Sequence, residues 1–300
     1  MEDESIPLKD RLVIRAARPE DRGPVLAFCA DTFSWGDYIG DVWDRWLADV
    51  KGRLLVAELE GLPIGIQHVS FPSAREAYLQ GMRVDPAVRR QGVATALLRA
   101  GLALARRQGA RVARLLTRSD NEVVHRMVEA AGFRRATTFV DWRGTACAGA
   151  GRYPEAAVLG DVEDLWRLIE GSEHFHCSDR AYLADWQALE LTNARLAAHV
   201  AAGEVYVARR TGQPVAMAHV QWNPEGDSLW AGALFGETSQ LAELARQLRA
   251  HASHVGALEV VSFVPKVEVV TDALGMAGYD AASPHRVDDM DLFVTDLASP

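Results

Sequence analysis

The 300-residue chain has no apolar run of 18 residues, few cysteines and no excess of positive charge. Without such a run there is no candidate transmembrane helix. Cys29, Cys147 and Cys177 are scattered, odd in number and without ligand spacing, so reduced thiols are expected rather than a disulfide or zinc framework, and no metal. A net charge of −9 argues against a nucleic-acid partner. The opening Met1-Glu2-Asp3-Glu4-Ser5 lacks the basic segment and apolar run of a signal peptide, so a cytoplasmic protein with no membrane partner is expected. With 49% hydrophobic and 24% charged residues, disorder and collagen are excluded too, and the length allows two ordinary domains in a monomer or homodimer.

What is present is uneven. From Arg83 to Arg118 nine arginines face one acid, Asp85, for a local +8. From Asp31 to Asp49 five aspartates face Arg45, for a local −4. The average hides one anion-seeking and one cation-seeking segment, with solvated helix faces as the competing explanation.

The chain also repeats itself. Leu54 to Val69 aligns without gaps to Val205 to Val220, with Val56, Ala57, Gly61, Pro63, His68 and Val69 recurring as Val207, Ala208, Gly212, Pro214, His219 and Val220. Each copy reads as strand, tight turn, strand. Ala131-Gly132-Phe133 recurs as Ala277-Gly278-Tyr279, so two similar domains are expected, 1–147 and 148–300, divided in the Gly/Ala-rich stretch Arg143 to Pro154. In the first, strands are predicted at Leu12 to Ala16, Leu54 to Glu60, Ile64 to Ser70, Ala77 to Val84, Arg111 to Thr117 and Thr137 to Trp142. Helices are predicted after Arg18-Pro19-Glu20-Asp21 and over Ile39 to Asp49, Gly92 to Gln108 and Glu122 to Ala131. Early strands and late helix–strand crossovers imply an α+β fold with a mixed, mostly antiparallel sheet.

Between the strand ending at Val84 and an amphipathic helix bearing Val93, Leu97, Ala100 and Leu104 stands Arg89-Arg90-Gln91-Gly92-Val93-Ala94. A helix N-terminus presents free N–H groups and a positive dipole end, and Gly92 with Ala94 lets the backbone approach an anion closely. The pattern is that of a pyrophosphate cradle, to which neighbouring arginines add charge-assisted bonds. Here the sequence resembles the GCN5-related N-acetyltransferase (GNAT) family, whose hallmark Arg/Gln-x-x-Gly-x-Gly/Ala is met by Arg89, Gly92 and Ala94. A second family signature, Asn followed eleven and twelve residues later by Gly-Phe, is present as Asn121, Gly132 and Phe133. The resemblance covers residues 11 to 145 in element order.

That resemblance implies two tandem GNAT folds and acetyl-coenzyme A as co-substrate. The backbone of Met82, Arg83 and Val84 would pair with the pantetheine arm, and Arg89, Arg90, Gln91, Gly92, Val93, Ala94 and Thr95 would hold the pyrophosphate. The splay between the strands at 77–84 and 111–117 would admit the arm, with Asn121 and Arg126 along its other side. The implied reaction is acetyl transfer to a primary amine of a small molecule, amino acid or peptide, by direct attack in a ternary complex. An acyl-CoA-binding regulatory module without turnover is the reading from outside enzymology. A mycothiol-synthase-like enzyme is another, although there the active half would be C-terminal.

Such transfer needs a neutral amine, oxyanion stabilisation and a proton for the thiolate. An aliphatic amine with pKa ~10.4 is almost wholly protonated at pH 7, so a base or water relay is useful. Where many relatives place a thiolate-protonating Tyr, this chain has Val128, which leaves His125 as a neighbouring candidate. On the coenzyme strand Glu76, Tyr78 and Gln80 share one face, and Gln80 could orient a water; His68 stands on the adjacent strand, though its recurrence as His219 argues for a structural role. For the acceptor, Trp35, Asp37 and Tyr38 are candidates through cation–π and carboxylate contacts, with Trp43 and Trp46 assigned to the core.

The second copy reads as degenerate. Opposite the cradle it has Gly236-Glu237-Thr238-Ser239-Gln240-Leu241, and Val267 stands where an Asn would be expected. Glu173-His174-Phe175-His176-Cys177 invites a metal reading, but it lacks a partner cluster.

Overall fold

A computed structural model describes residues 11–33, 36–148, 153–184, 186–223, 226–281 and 289–298. Contacts divide the chain into two units. One holds residues up to 115, 123–134 and 294 onward; the other holds 116–122 and 135–293.

In the first unit, β1 (Val13–Ala16), β2 (Gly52–Leu59), β3 (Leu62–Ser73) and β4 (Glu76–Val84) run antiparallel in order, and β5 (Val112–Arg118) joins β4 in parallel. Helices α1 (Arg22–Cys29) and α2 (Ile39–Leu47) cover one face. There Val25, Ile39, Trp43 and Trp46 bury against Leu54, Val56 and Ile66, so the two tryptophans are core, as expected. The helix α3 (Val93–Arg107) carries Val93, Leu97, Leu98, Leu102 and Ala105 inward. The buried stripe is thus rotated from the predicted one, with Ala100 and Leu104 only half-buried. The pivot is Gly101, where a Cβ would press on Gln67 and Val69 of β3; helix and strand meet there without an intervening side chain. The short α4 (Glu122–Glu129) follows β5.

The second unit repeats the plan. Its strands lie in the order β6 (Arg134–Thr145), β13 (Glu259–Pro265), β12 (Ser228–Gly236), β11 (Gln213–Trp222), β10 (Val205–Arg210) and β7 (Glu155–Ala156), with β14 (Met290–Asp296), whose residues are divided between the units, next to β6. Helices α5 (Val162–Glu170), α6 (Glu173–Cys177) and α7 (Asn193–Ala201) pack one core; α8 (Thr238–Val255) and α9 (Glu268–Met276) pack another. A small hairpin, β8 (Ala181–Ala184) with β9 (Gln187–Glu190), forms its own sheet and packs on β12, where Trp230 Nε1–H donates to the Leu183 carbonyl at 3.2 Å.

The strand read at 137–142 as the end of the first repeat is β6, and it hydrogen-bonds to β13, Trp142 opposite Ser262. Residues after 294 return to the first unit, where Leu297 N–H donates to the Arg111 carbonyl at 2.7 Å. Sequence order and sheet membership part at these strands because pairing is set by edge availability, which local patterning does not encode.

The repeated hairpins match in detail. Glu60-Gly61 and Thr211-Gly212 both have positive φ at both turn positions, the type I′ geometry suited to the strand twist. Both ladders shift register at the same place, between Ala57 and Glu58 and between Ala208 and Arg209. The three cysteines are unpaired, and burial pushes the Cys29 thiol up to about 12.

Candidate active site

On its β3 side β4 stays paired out to Val84, opposite Gly65. On its β5 side the ladder covers only Glu76 to Tyr78, opposite Val112 to Arg114. From Gln80 to Val84 the strand therefore offers unpaired backbone toward the space where β5 has diverged. The register against β3 slips between His68–Gln80 and Ile66–Arg83, and Gly81 takes φ +63°. A bulge at this point re-aims the strand end. Glycine is needed at 81 on two counts: the dihedral is left-handed, and a Cβ there would overlap the Trp46 ring.

The turn that follows is built by its own residues. Asp85 caps a 3-10 turn over Pro86–Val88, its carboxylate accepting from the Ala87 N–H at 2.9 Å. Arg90 (φ +63°) and Gly92 (φ +87°) then reverse the chain into α3. The first bond of the helix ladder is Ala96 N–H to the Gly92 carbonyl, 2.9 Å, so the N–H groups of Val93, Ala94 and Thr95 precede it without intrahelical acceptors. Arg89, Arg90 and Gln91 are exposed at the same turn, the Arg89 Nε–H reaching the Val84 carbonyl at 3.3 Å. Unpaired strand backbone, free helix N–H groups and two exposed guanidinium groups meet within a dozen residues. The donor set suits a polyphosphate with a peptide-like arm.

The +8 segment is not all available to such a ligand. Arg83 forks onto Asp37 (Nε to Oδ2 2.6 Å, Nη2 to Oδ1 3.1 Å), with Phe33 and Tyr38 stacked on its plane at 5.2 and 5.1 Å. Arg114 is buried against Glu76 at 3.3 Å, and Arg118 pairs with Asp120 at 2.6 Å. The charge of Arg83 is therefore engaged by Asp37, and its backbone is the part open to a ligand. The same pairing occupies Asp37, whose side chain is only 3% exposed; the expected meeting of Asp37 with a cationic amine has been replaced by a meeting with Arg83. Tyr38 lies half-buried between Arg83 and Trp46, and burial raises its phenol pKa. Trp35 lies outside the described residues.

The predicted proton-handling groups separate. Tyr78 is 3% exposed in the part of β4 still paired on both sides, and Glu76 is buried, accepting from Ser73 Oγ at 2.9 Å besides pairing with Arg114; both belong to the interior. Gln80 bonds His68 Nδ1 through Nε2 at 3.1 Å. On the ring's other side Nε2 lies 3.2 Å from Asp49 Oδ2, and Trp46 stacks flat on its face at 4.7 Å. Burial pushes the His68 pKa down to about 4 against the pull of Asp49, so the ring is neutral at pH 7. His68 is thus the core histidine its recurrence suggested, held by Gln80 at Nδ1 and by the stacked Trp46 ring. His125 and Arg126 lie on α4, half-buried and exposed respectively; Asn121 Nδ2 donates to Thr117 Oγ1 at 3.3 Å at the β5–α4 turn. Val128 is fully buried, so that position packs the core and donates nothing. The Asp37–Arg83 and Asp49–His68 pairs escaped sequence reasoning because each joins elements more than a dozen residues apart.

Comparisons with known proteins bear on the stretch that contains this geometry. Residues 24–133 match the acetyltransferase (GNAT) family model. That stretch, less than half of the chain, is similar to the GNAT acetyltransferases. A mycothiol acetyltransferase of Sanguibacter keddieii is 33% identical over 150 residues, covering 45% of this chain and 47% of that protein; the likeness therefore speaks for about half of each. A GNAT structure from Sphaerobacter thermophilus overlays with TM-score 0.64 at 18% identity, covering 96% of both chains. A tandem GNAT protein from the clavulanic acid biosynthesis pathway overlays with TM-score 0.53 at 14% identity, covering 96% of this chain and 99% of that one. At these identities the structures speak for the fold, which is the α+β GNAT fold in tandem.

The second unit differs at the corresponding exit. β12 runs to Gly236 (φ +142°) and α8 starts at Thr238, so a single residue, Glu237, separates them, where residues 85–92 separate β4 from α3. In the sequence Glu173 to Cys177, His174 Nε2 meets the Leu234 carbonyl (2.9 Å) and His176 Nε2 the Glu170 carbonyl (2.8 Å), so these imidazoles already have partners.

Proposed function

We propose that the chain is an acetyl-CoA-dependent N-acetyltransferase whose first unit carries the reaction and whose second unit lacks a coenzyme site. The observation that carries this reading is the continuous run from the bulged, unpaired end of β4 through Arg90 and Gly92 to the free N–H groups of α3, inside the stretch that matches the GNAT family.

The coenzyme supplies an activated acetyl thioester when bound. The chain's part is to hold and orient it: Met82 to Val84 through backbone, Arg89 to Thr95 through N–H groups and guanidinium charge, Asn121 and Arg126 alongside. In the reaction the amine nitrogen attacks the acetyl carbon, the C–S bond breaks, the amine loses a proton and the thiolate gains one. Backbone N–H near the bulge suits the oxyanion, since fixed dipoles need no reorganisation. With Val128 buried and His68 neutral and engaged, the protons pass through water, which Gln80 is too occupied by His68 to direct alone. The acceptor is a primary amine of a small molecule, amino acid or peptide.

A second, narrower reading is favoured by the 33% identity to the mycothiol acetyltransferase, which makes the unacetylated precursor of mycothiol the first amine to try. Thiol release from acetyl-CoA over a panel containing that precursor, polyamines, amino acids and peptide N-termini tests both. Turnover with one class is expected. Coenzyme binding without turnover across the panel would make the chain a regulatory module, and no binding would overturn the reading.

A further inference from the structure

The repeated histidine has different company in the two units. In the first, Gln80 lies directly opposite His68 across the β3–β4 ladder and supplies Nδ1 with its partner. In the second, the residue opposite His219 is Ala233, which has nothing to offer. His219 is 2% exposed, and among the described residues neither ring nitrogen has a hydrogen-bond partner. A buried, unsatisfied polar group is costly and calls for an explanation.

The space its ring faces holds two further donors. Glu204 Oε2 lies 3.6 Å from His219 Nε2, too far for a hydrogen bond, and 2.6 Å from His199 Nδ1; the two imidazoles are 4.1 Å apart. One donor atom from each of the three residues falls within 4.8 Å of the others. The opposite edge of His199, Nε2, is tied to Tyr182 Oη at 2.7 Å. Such a bond from the non-ligating nitrogen orients histidines in metal sites and fixes their tautomer. His199 and Glu204 are partly exposed, so the cluster is reachable from solvent.

We propose that His199, Glu204 and His219 form a site for one divalent transition ion of the zinc class, with solvent as fourth ligand. Two imidazole nitrogens and one carboxylate oxygen suit zinc, nickel or copper far better than magnesium or calcium, which require oxygen donors. At metal–ligand distances of about 2.0–2.1 Å, tetrahedral donors stand about 3.3 Å apart. Loading therefore needs the Glu204 oxygen to draw back from His199 by about 0.7 Å, and a donor pair at the 4.8 Å limit of the cluster to close by about 1.5 Å. The ion would tie the C-terminal end of α7 to β10 and β11, and it would give His219 the partner it lacks. The site lies wholly in the second unit and is independent of the acetyl-transfer reading.

The test uses tag-free full-length protein stripped with a chelator. Zinc is titrated against a competing chromogenic chelator, and cobalt is substituted to read the ligand field by visible absorption. The expected result is one ion per chain, a tetrahedral cobalt spectrum, and at least a 100-fold loss of affinity in His199→Gln and in Glu204→Gln. Both residues are partly exposed, so these variants should keep the wild-type circular dichroism; His219→Ala should lose the ion too, but is not required to fold for the test to count. Absence of binding at millimolar zinc, or equal affinity in wild type and the His199→Gln/Glu204→Gln double variant, would overturn the proposal.

Discussion

The two units share a hairpin down to its turn dihedrals and register slip, yet they differ in what leaves the third strand of that meander. The first exits through eight residues that reverse the chain and bare helix N–H groups; the second exits through Glu237 alone. The fold's frame and the proposed coenzyme cradle are thus separable. Sheet and helices survive without the loop, because their stability rests on apolar faces and paired backbone that the loop does not touch. A charge pair makes the same point in reverse. In the first unit Arg15 joins Glu58 (2.5 Å) and the capping Asp21 (2.7 Å); in the second, Arg209 joins Glu155 (2.6 Å) and the capping Asp161 (2.7 Å). The arginine and glutamate have exchanged strands while the aspartate has stayed, so geometry and total charge are preserved where individual residues are not.

The largest effect expected from this comparison comes at the exit turn. Gly92→Glu adds a side chain at φ +87° and a negative charge at the cradle, and should weaken acetyl-CoA binding more than 100-fold by calorimetry while leaving the circular dichroism spectrum unchanged. Ser239→Glu, at the matching helix start of the second unit, should leave the affinity unchanged. Next in size, Arg15→Ala strands Asp21, whose side chain is 4% exposed, and should cost about 2–3 kcal/mol in urea unfolding. The exchanged pair Arg15→Glu with Glu58→Arg, which copies the second unit, should recover a good part of that loss; no recovery would show that the two charge networks are not equivalent.

A smaller, pH-dependent effect separates the two histidines. Because the His68 pKa falls from 6.5 to about 4 on folding, the unfolded chain takes up a proton between those values that the folded chain refuses. The stability involved is fully present above pH 6.5 and is lost as pH falls toward 4. Melting curves of His68→Gln over pH 4–7 should show a shallower fall than wild type. Smallest of all, Gly61→Ala and Gly212→Ala place a methyl at φ +85° in open space, each costing about 1 kcal/mol. Equal costs would confirm that the turns are interchangeable.

Much of the frame could be read before the structure. The helix limits at Ile39, Gly92 and Glu122, the hairpin repeat, and the assignment of Trp43 and Trp46 to the core rest on periodicity and turn chemistry, which are local. Pairing and partnership were not legible. β6 could not be assigned to β13 from its own residues, since any strand with that alternation would serve. Asp37 looked like a ligand for a cationic amine because its partner Arg83 stands 46 positions away. His219 looked like a plain repeat of His68 because the decisive difference, Ala233 in place of Gln80, lies on the facing strand and is visible only through register.

Whether a chain of two GNAT folds holds one coenzyme cradle or two is decided by the binding stoichiometry of acetyl-CoA. Calorimetric titration of the wild-type chain should give one coenzyme per chain, abolished in Gly92→Glu. Two coenzymes per chain, or one that persists undiminished in Gly92→Glu, would contradict the account.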